Sequence, residues 1–349
     1  MKFLALSLVA LSAASVEAGG PKKNFWGTNF KNLVAFGDSY TDEGRLNYIS
    51  GNNGQVPPPG YIQPIGENTA SGGRSWARYV ATSTKTKLYN YAVGGAVCSN
   101  NLTPRTFGNG LFPSVREYEI PAYKTDSKLL KIKPSETLYT IWIGTNDIGG
   151  NALVSREQLP NVGLVNVTEC VIQSLNDLYQ QGARNFVLQN MAPLQYAPLY
   201  VTGEPENGGE YGKSVFWGDR DEQVKNITRL TEEIRDFVWN GNEIYKYKAP
   251  AEVTKWKGAK LAVFDSYGLM LDILNRPSAY LNGSAPLDTT GYNNHCTLDW
   301  QCKMERPQDK DSYFWYDSLH PSEQVGRVIA REFAKIFKGE GKWTSFYKN

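Results

Sequence analysis

The sequence predicts an α/β sandwich built around a parallel sheet. Three observations carry that expectation. Five short, β-rich and largely apolar runs end at Gly, Asp or a Pro-rich loop, the pattern of parallel strands covered on both faces. Segments of helical periodicity lie between them. Strands alternating with helices pack as layers of helices against a sheet. The chain has 349 residues, 41% apolar and 13% aromatic, with no internal repeat, which suits one large core.

Taken in order, NLVAF at 32–36 is the first strand and runs into Gly37. Residues 75–82 read as a helix. KLYNYAV at 87–93 is the second strand, followed by Gly94 and Gly95, and TLYTIWI at 137–143 is the third, followed by Gly144. Trp142 falls inside that strand pattern and is expected in the core. Residues 165–181 form a helix stopped by Gly182. NFVLQN at 185–190 is the fourth strand, and it leads into a Gly/Pro-rich, aromatic segment over 195–218. That segment is long for a plain connection and reads as a loop at the rim of a site. Its Tyr211, Phe216 and Trp217 are candidate substrate contacts. A long helix is expected over 221–247, with Val224, Ile227, Leu230, Ile234, Phe237, Val238 and Ile244 as its stripe. KLAVFD at 260–265 is the fifth strand. A last helix spans 322–338, with Val325, Val328, Ile329, Phe333, Ile336 and Phe337 on one face.

The net charge of +2 gives no basic stripe for nucleic acid and no acidic tail. The chain opens MKFLALSLVALSAASVEAGG. Lys2, an apolar stretch too short to span a bilayer, and the small residues Val16 and Ala18 read as a cleaved secretory signal over 1–18, leaving 19–349 as a single domain. No later stretch is apolar for long enough to cross a membrane, and a soluble, secreted monomer is expected. Four cysteines and four Asn-x-Ser/Thr acceptors, at Asn101, Asn166, Asn226 and Asn282, fit export. In an oxidising compartment Cys296 and Cys302 are close enough to close a small loop, which leaves Cys98 to pair with Cys170. No CxxC pair or Cys/His spacing suggests a metal.

The loops after the first three strands carry the unusual residues: FGDSYTDEG, NYAVGGA and IGTNDIG. Ligands of such sheets bind beyond the carboxyl ends of the strands. A serine just past a strand can sit where backbone N–H groups favour a developing negative charge, but it needs an oriented base to act as a nucleophile. The chain has only two histidines. One of them, His320, lies in FWYDSLHP, three residues after Asp317, close enough for the carboxylate to hold one ring nitrogen while the other faces Ser39. Ser39, Asp317 and His320 therefore make a candidate triad, recognised by roles rather than by order. The backbone N–H groups of Ser39 and Gly95 and the Asn146 amide are candidate oxyanion donors. Asp38 is expected to brace its loop, Asp147 to cap the turn after its strand, and the second histidine, His295, to be structural or at the rim.

GDSY, GGA, GTND and DSLHP, in that order from about Leu33 to the final helix, resemble the four sequence blocks of the GDSL or SGNH hydrolases. The resemblance implies a three-layer α/β/α sandwich with a five-stranded parallel sheet. It also implies block residues Ser39, Gly95, Asn146 and His320, with Asp317 completing the triad. Gly95 rather than Gly94 is assigned from its five-residue distance past Asn90. Tyr40 replaces the Leu of the family's name motif, a change expected to touch packing or the substrate rim. The signal, size, acceptor sites and NYAVGGA are similar to secreted fungal acetylesterases of carbohydrate esterase family sixteen. The implied activity is removal of acetyl groups from hemicellulose-derived saccharides through an acyl-enzyme, with no cofactor. The alternatives are an esterase or lipase for longer acyl chains and a non-catalytic carbohydrate-binding protein.

Overall fold

The computed structural model describes residues 24–108, 110–201 and 214–349. The expected signal segment and Tyr211 lie outside the described residues.

Leu33 to Phe36 are completely buried, as a strand covered on both faces requires. This first strand, β1 (Asn32–Gly37), pairs in parallel with β2 (Lys87–Asn90) on one side and β3 (Thr137–Trp142) on the other. The sheet continues through β4 (Asn185–Gln189) and β5 (Lys260–Phe264), both parallel. All five expected strands are present. A sixth strand, β6 (Thr344–Lys348), adds antiparallel to the β5 edge, giving the order β6-β5-β4-β3-β1-β2. Its sequence, TSFYK, sets two aromatics between polar residues and carries no continuous apolar run. β2 ends three residues earlier than 93, but Tyr91 and Val93 still donate to the carbonyls of Ala35 and Gly37, so the chain stays alongside β1 to the glycine pair.

The helices used below are α1 (Trp76–Thr84), α2 (Leu164–Gln180), α3 (Ile227–Val253), α4 (Ser266–Asn275) and α5 (Glu323–Ala334). α1 packs on α5, which also meets α4, while α2 packs on α3. Helices thus form a layer on each face of the sheet. Ser75 caps α1 and Ser322 caps α5, each accepting a backbone N–H from the first turn. The helix expected over 221–247 is split. A short turn, Arg220–Gln223, ends at Val224, and Asn226 then caps α3, whose side chain accepts from the Arg229 N–H. No helix among the described residues is long and apolar enough to cross a membrane.

Strand order reverses at β1: the chain steps out to β2, then back across β1 to β3. The loops after β1 and β3 therefore part, and a crevice opens at the carboxyl edge between them. Disulfides link Cys98 to Cys170, tying the loop after β2 to α2, and Cys296 to Cys302 across a hairpin.

Candidate active site

The site begins with Gly37, the last residue of β1. Its φ is +150°, and a Cβ there would lie 2.2 Å from the Trp142 carbonyl oxygen. Only glycine lets β1 run this close to β3 and still turn sharply. The turn closes through the Asp38 carbonyl, which accepts from the N–H groups of Thr41 and Asp42, both at 2.9 Å. The Asp38 carboxylate accepts from the Tyr40 N–H at 3.0 Å, so it braces the loop as expected. Burial pushes this carboxyl up to about 6, against the opposing pull of the Tyr40 N–H and the charge of His320. Ser39 emerges from the turn half-buried, beneath the cleft.

Asp317 and His320 are both buried. One carboxylate oxygen of Asp317 accepts from the N–H groups of Leu319 at 2.9 Å and His320 at 2.7 Å. The His320 Nδ1 lies 2.9 and 3.0 Å from the two Asp317 oxygens, and its Nε2 lies 2.7 Å from the Ser39 Oγ. A three-residue turn thus orients one carboxylate and one ring by the same set of bonds. The Tyr40 hydroxyl donates to the Leu319 carbonyl at 2.7 Å, joining the serine loop to the histidine loop across 279 positions. Tyr40 is thus a tie between the two halves of the candidate triad.

Across the crevice, the Gly94 N–H donates to the Asp42 carboxylate at 2.7 Å. That donor is spent. The next residue, Gly95, has φ +85°, and a Cβ there would come 3.1 Å from the Phe112 ring. The Asn146 amide is half-buried at the cleft wall. Its Nδ2 donates to the Ala96 carbonyl at 3.0 Å, and its Oδ1 accepts from Arg105 at 3.3 Å. A guanidinium only donates, which fixes the amide's orientation and leaves the second Nδ2 proton for the cleft. Arg105 also donates to the carbonyls of Gly95 at 2.8 Å and Gly150 at 3.3 Å, so one side chain ties the loops after β2 and β3 together along this wall.

Asp147 does not cap its turn. The N-cap of Thr145–Ile148 is Gly144, with no side-chain bond, and Asp147 instead accepts from the Cys98 N–H at 2.9 Å. Burial pushes its carboxyl up to about 7.

The cleft above Ser39 has a volume of about 920 Å³, within the range of small-molecule sites. Phe216 lines it and meets the His320 ring edge-on, with centroids 5.0 Å apart. Trp217 does not line it: it is buried, flat against Gly150 and near Tyr200. Trp300, unmarked in the sequence reading, stands 61% exposed at the rim on the hairpin closed by Cys296 and Cys302. A tryptophan confined between two linked cysteines was the available signal. For Arg105 and Phe112, which flank the short hairpin of Thr106–Phe107 and Gly110–Leu111, there was none. His295 is exposed on the same hairpin, stacked on Tyr292 at 4.2 Å and 3.6 Å from Glu305, and is not part of the cleft wall. Trp142 is in the core, as expected, and donates to the Asn190 carbonyl at 3.0 Å. All four acceptor asparagines, Asn101, Asn166, Asn226 and Asn282, are exposed.

Residues 33–333 match the family described as GDSL-like Lipase/Acylhydrolase. The chain is 36% identical over 329 residues to an acetylesterase of Hypocrea jecorina, with 92% of each chain covered. It is 26% identical to an acetylesterase of Thermothelomyces thermophilus, covering 97% of this chain and 98% of that one. Among solved structures it is similar to LAE5, an alpha/beta hydrolase from the metagenome of Lake Arreo, at a TM-score of 0.42 and 14% identity, covering 90% of this chain and 98% of that one. With the family match spanning most of its length, the chain belongs to the GDSL-like lipase/acylhydrolase family.

Proposed function

We propose that the protein is a secreted serine esterase that removes acetyl groups from hemicellulose-derived saccharides. The observation that carries this reading is His320, held by Asp317 on one nitrogen and 2.7 Å from the Ser39 Oγ on the other. Ser39 attacks the ester carbonyl as His320 Nε2 takes its proton. The oxyanion forms toward the N–H groups of Ser39 and Gly95 and the free Nδ2 proton of Asn146. Asp317 stays ionised and stabilises the imidazolium. The intermediate collapses, His320 gives its proton to the departing sugar oxygen, and Ser39 is left acetylated. Water, deprotonated by the same imidazole, then attacks the acetyl-enzyme, releasing acetate and restoring Ser39.

Acetyl esters are favoured because two fungal relatives along nearly the full length are acetylesterases. Phe216 beside His320 and Trp300 at the rim offer apolar ring faces to a sugar. The exposed acceptor sites and the two disulfides support export after removal of residues 1–18, and a monomer is proposed. The test is acetate release from acetylated xylo-oligosaccharides, run beside 4-nitrophenyl acetate, butyrate and longer esters. Release of acetate, with kcat/KM falling as the acyl chain grows, is expected. A preference for long acyl chains, or no turnover of any ester, would overturn the reading.

A further inference from the structure

A second groove, of about 680 Å³, lies where the α3 layer stops short of the β5–β6 edge. Its floor is the sheet face carrying Val263, Ser345 and Tyr347; Ser345 pairs with Val263 directly, and Tyr347 follows on the same face. Val263 is only half-buried, although Leu261, Ala262 and Phe264 around it are buried. One wall is α3, with Trp239, Glu243 and Lys246; the other carries Tyr267 and Trp343. Trp239 is 52% exposed, a high value for a tryptophan inside a packed layer.

The polar groups are built in. Tyr267 accepts from Trp239 Nε1 at 2.5 Å and from Gln195 Nε2 at 2.8 Å, so its own proton is directed away from both donors. Asp265 accepts from Asn190 and the Gly268 N–H through a single oxygen. Asn242 bonds both the N–H and the carbonyl of Met191, which holds the start of the loop after β4 against α3. Two acids, Glu243 and Asp265, face two bases, Lys246 and Lys342, and Glu243 is paired with Lys246 at 3.1 Å. Aromatic faces, fixed hydroxyl and carboxylate groups and a balanced charge suit a neutral, polyhydroxylated ligand: C–H faces of a sugar ring on the aromatics, hydroxyls to the polar rim. They do not suit an anion or an acyl chain.

Asn190 and Asp265 follow β4 and β5, so the groove opens at the same sheet edge as Ser39. It is offset by about three strand spacings, roughly 15 Å. The loop after β4 runs from Asn190 in the groove to Leu199 and Tyr200 in the cleft. We propose that this groove binds a stretch of neutral polysaccharide and holds the polymer while the cleft works on its acetyl groups. The identity of the polymer rests on the esterase reading above; the sugar-binding character of the groove does not.

The experiment is affinity electrophoresis of the intact mature protein in gels without polysaccharide, with deacetylated xylan and with mannan. Wild type is compared with Trp239→Ala and Glu243→Ala, both at exposed helix positions. Turnover of 4-nitrophenyl acetate on each preparation reports whether the cleft is assembled. Wild type should be retarded by xylan, and Trp239→Ala should weaken that retention by about tenfold. Trp239→Phe should recover most of it. Equal retention of wild type and both alanine variants would place the binding elsewhere and overturn the proposal. So would a wild type that hydrolyses the small ester but is retarded by neither xylan nor mannan, an outcome that leaves the esterase reading standing. A dimer in sedimentation that Trp239→Ala converts to monomer would overturn it in favour of a contact between copies. Absence of small-ester turnover with xylan retention intact would instead count against the esterase reading alone.

Discussion

Asn146 shows how a single side chain is committed before any substrate arrives. Arg105 takes its oxygen and the Ala96 carbonyl takes one of its protons, so the remaining proton can only serve the cleft. The residue does not cap its turn, so its loss should fall mainly on turnover. Asn146→Ala is expected to lower kcat by about 10²–10³-fold, the cost of one oxyanion donor, with little change in KM and a stability loss of about 1–3 kcal/mol from the unpaired Ala96 carbonyl. A destabilised variant with full turnover would remove Asn146 from the chemistry. Tyr40 acts at the same scale but in a different role. Its hydroxyl is the tie to the Leu319 carbonyl, and Tyr40→Phe leaves that buried acceptor unpaired. A stability loss of about 1–3 kcal/mol is expected in urea denaturation, and activity should survive at reduced kcat as the two loops loosen.

At the scale of elements, α3 owes its start to Asn226, which is also a candidate glycan acceptor. The two roles are separable. In protein from a non-glycosylating host, Asn226→Ala should cost about 1 kcal/mol, whereas Thr228→Ala, which destroys only the acceptor motif, should cost almost nothing. Equal effects would mean that the cap contributes nothing. The same helix shows what the sequence could and could not reveal. Its apolar stripe continues backwards through Val224, three positions before Ile227, so periodicity alone carries the helix past its real beginning; the asparagine between them is the only mark of the break. The five parallel strands were legible because burial on both faces demands largely apolar, β-rich runs, even with Asn90, Thr140 and Gln189 buried among them. β6 was not, because an edge strand with one partner and no fully buried residue needs no such run, and TSFYK has none. Ser39, Asp317 and His320 were legible because the acid and base sit in one turn and the serine follows a strand into a glycine-marked loop. Arg105 and Trp300 reach the cleft on segments without periodicity. Phe216 and Trp217 are adjacent aromatics that only the fold separates into cleft and core.

For the molecule as a whole, three buried carboxyls set a trend with pH. Burial raises Asp38 to about 6, Asp147 to about 7, and Glu119 well above the usual range. Unfolded, such groups titrate near 4. Between pH ~4 and ~7 the native state therefore holds protons that the unfolded chain has released, and stability falls as pH rises. This contribution is fully present below about pH 4 and is lost as pH passes 6 and then 7. Urea midpoints should decline from pH 5 to pH 8, and Asp147→Asn should flatten that decline while retaining the carbonyl that accepts from Cys98. A slope unchanged by the substitution would show that Asp147 is ionised in the fold at all these values. The proposed mechanism uses His320 as a base, and turnover is expected to run the other way, falling as pH falls. The enzyme is thus expected to be most active where these carboxyls favour the fold least.

The central claim is that Ser39 attacks the ester, with His320 as its base. It is tested most directly by treating the mature protein with a fluorophosphonate and mapping the adduct by mass spectrometry, while acetate release is followed on the same samples. One adduct per chain is expected, on Ser39, with activity lost in proportion to labelling, and neither labelling nor acetate release in Ser39→Ala. An adduct on another residue that tracks the loss of activity, or a Ser39→Ala protein that still releases acetate at the wild-type rate, would contradict it.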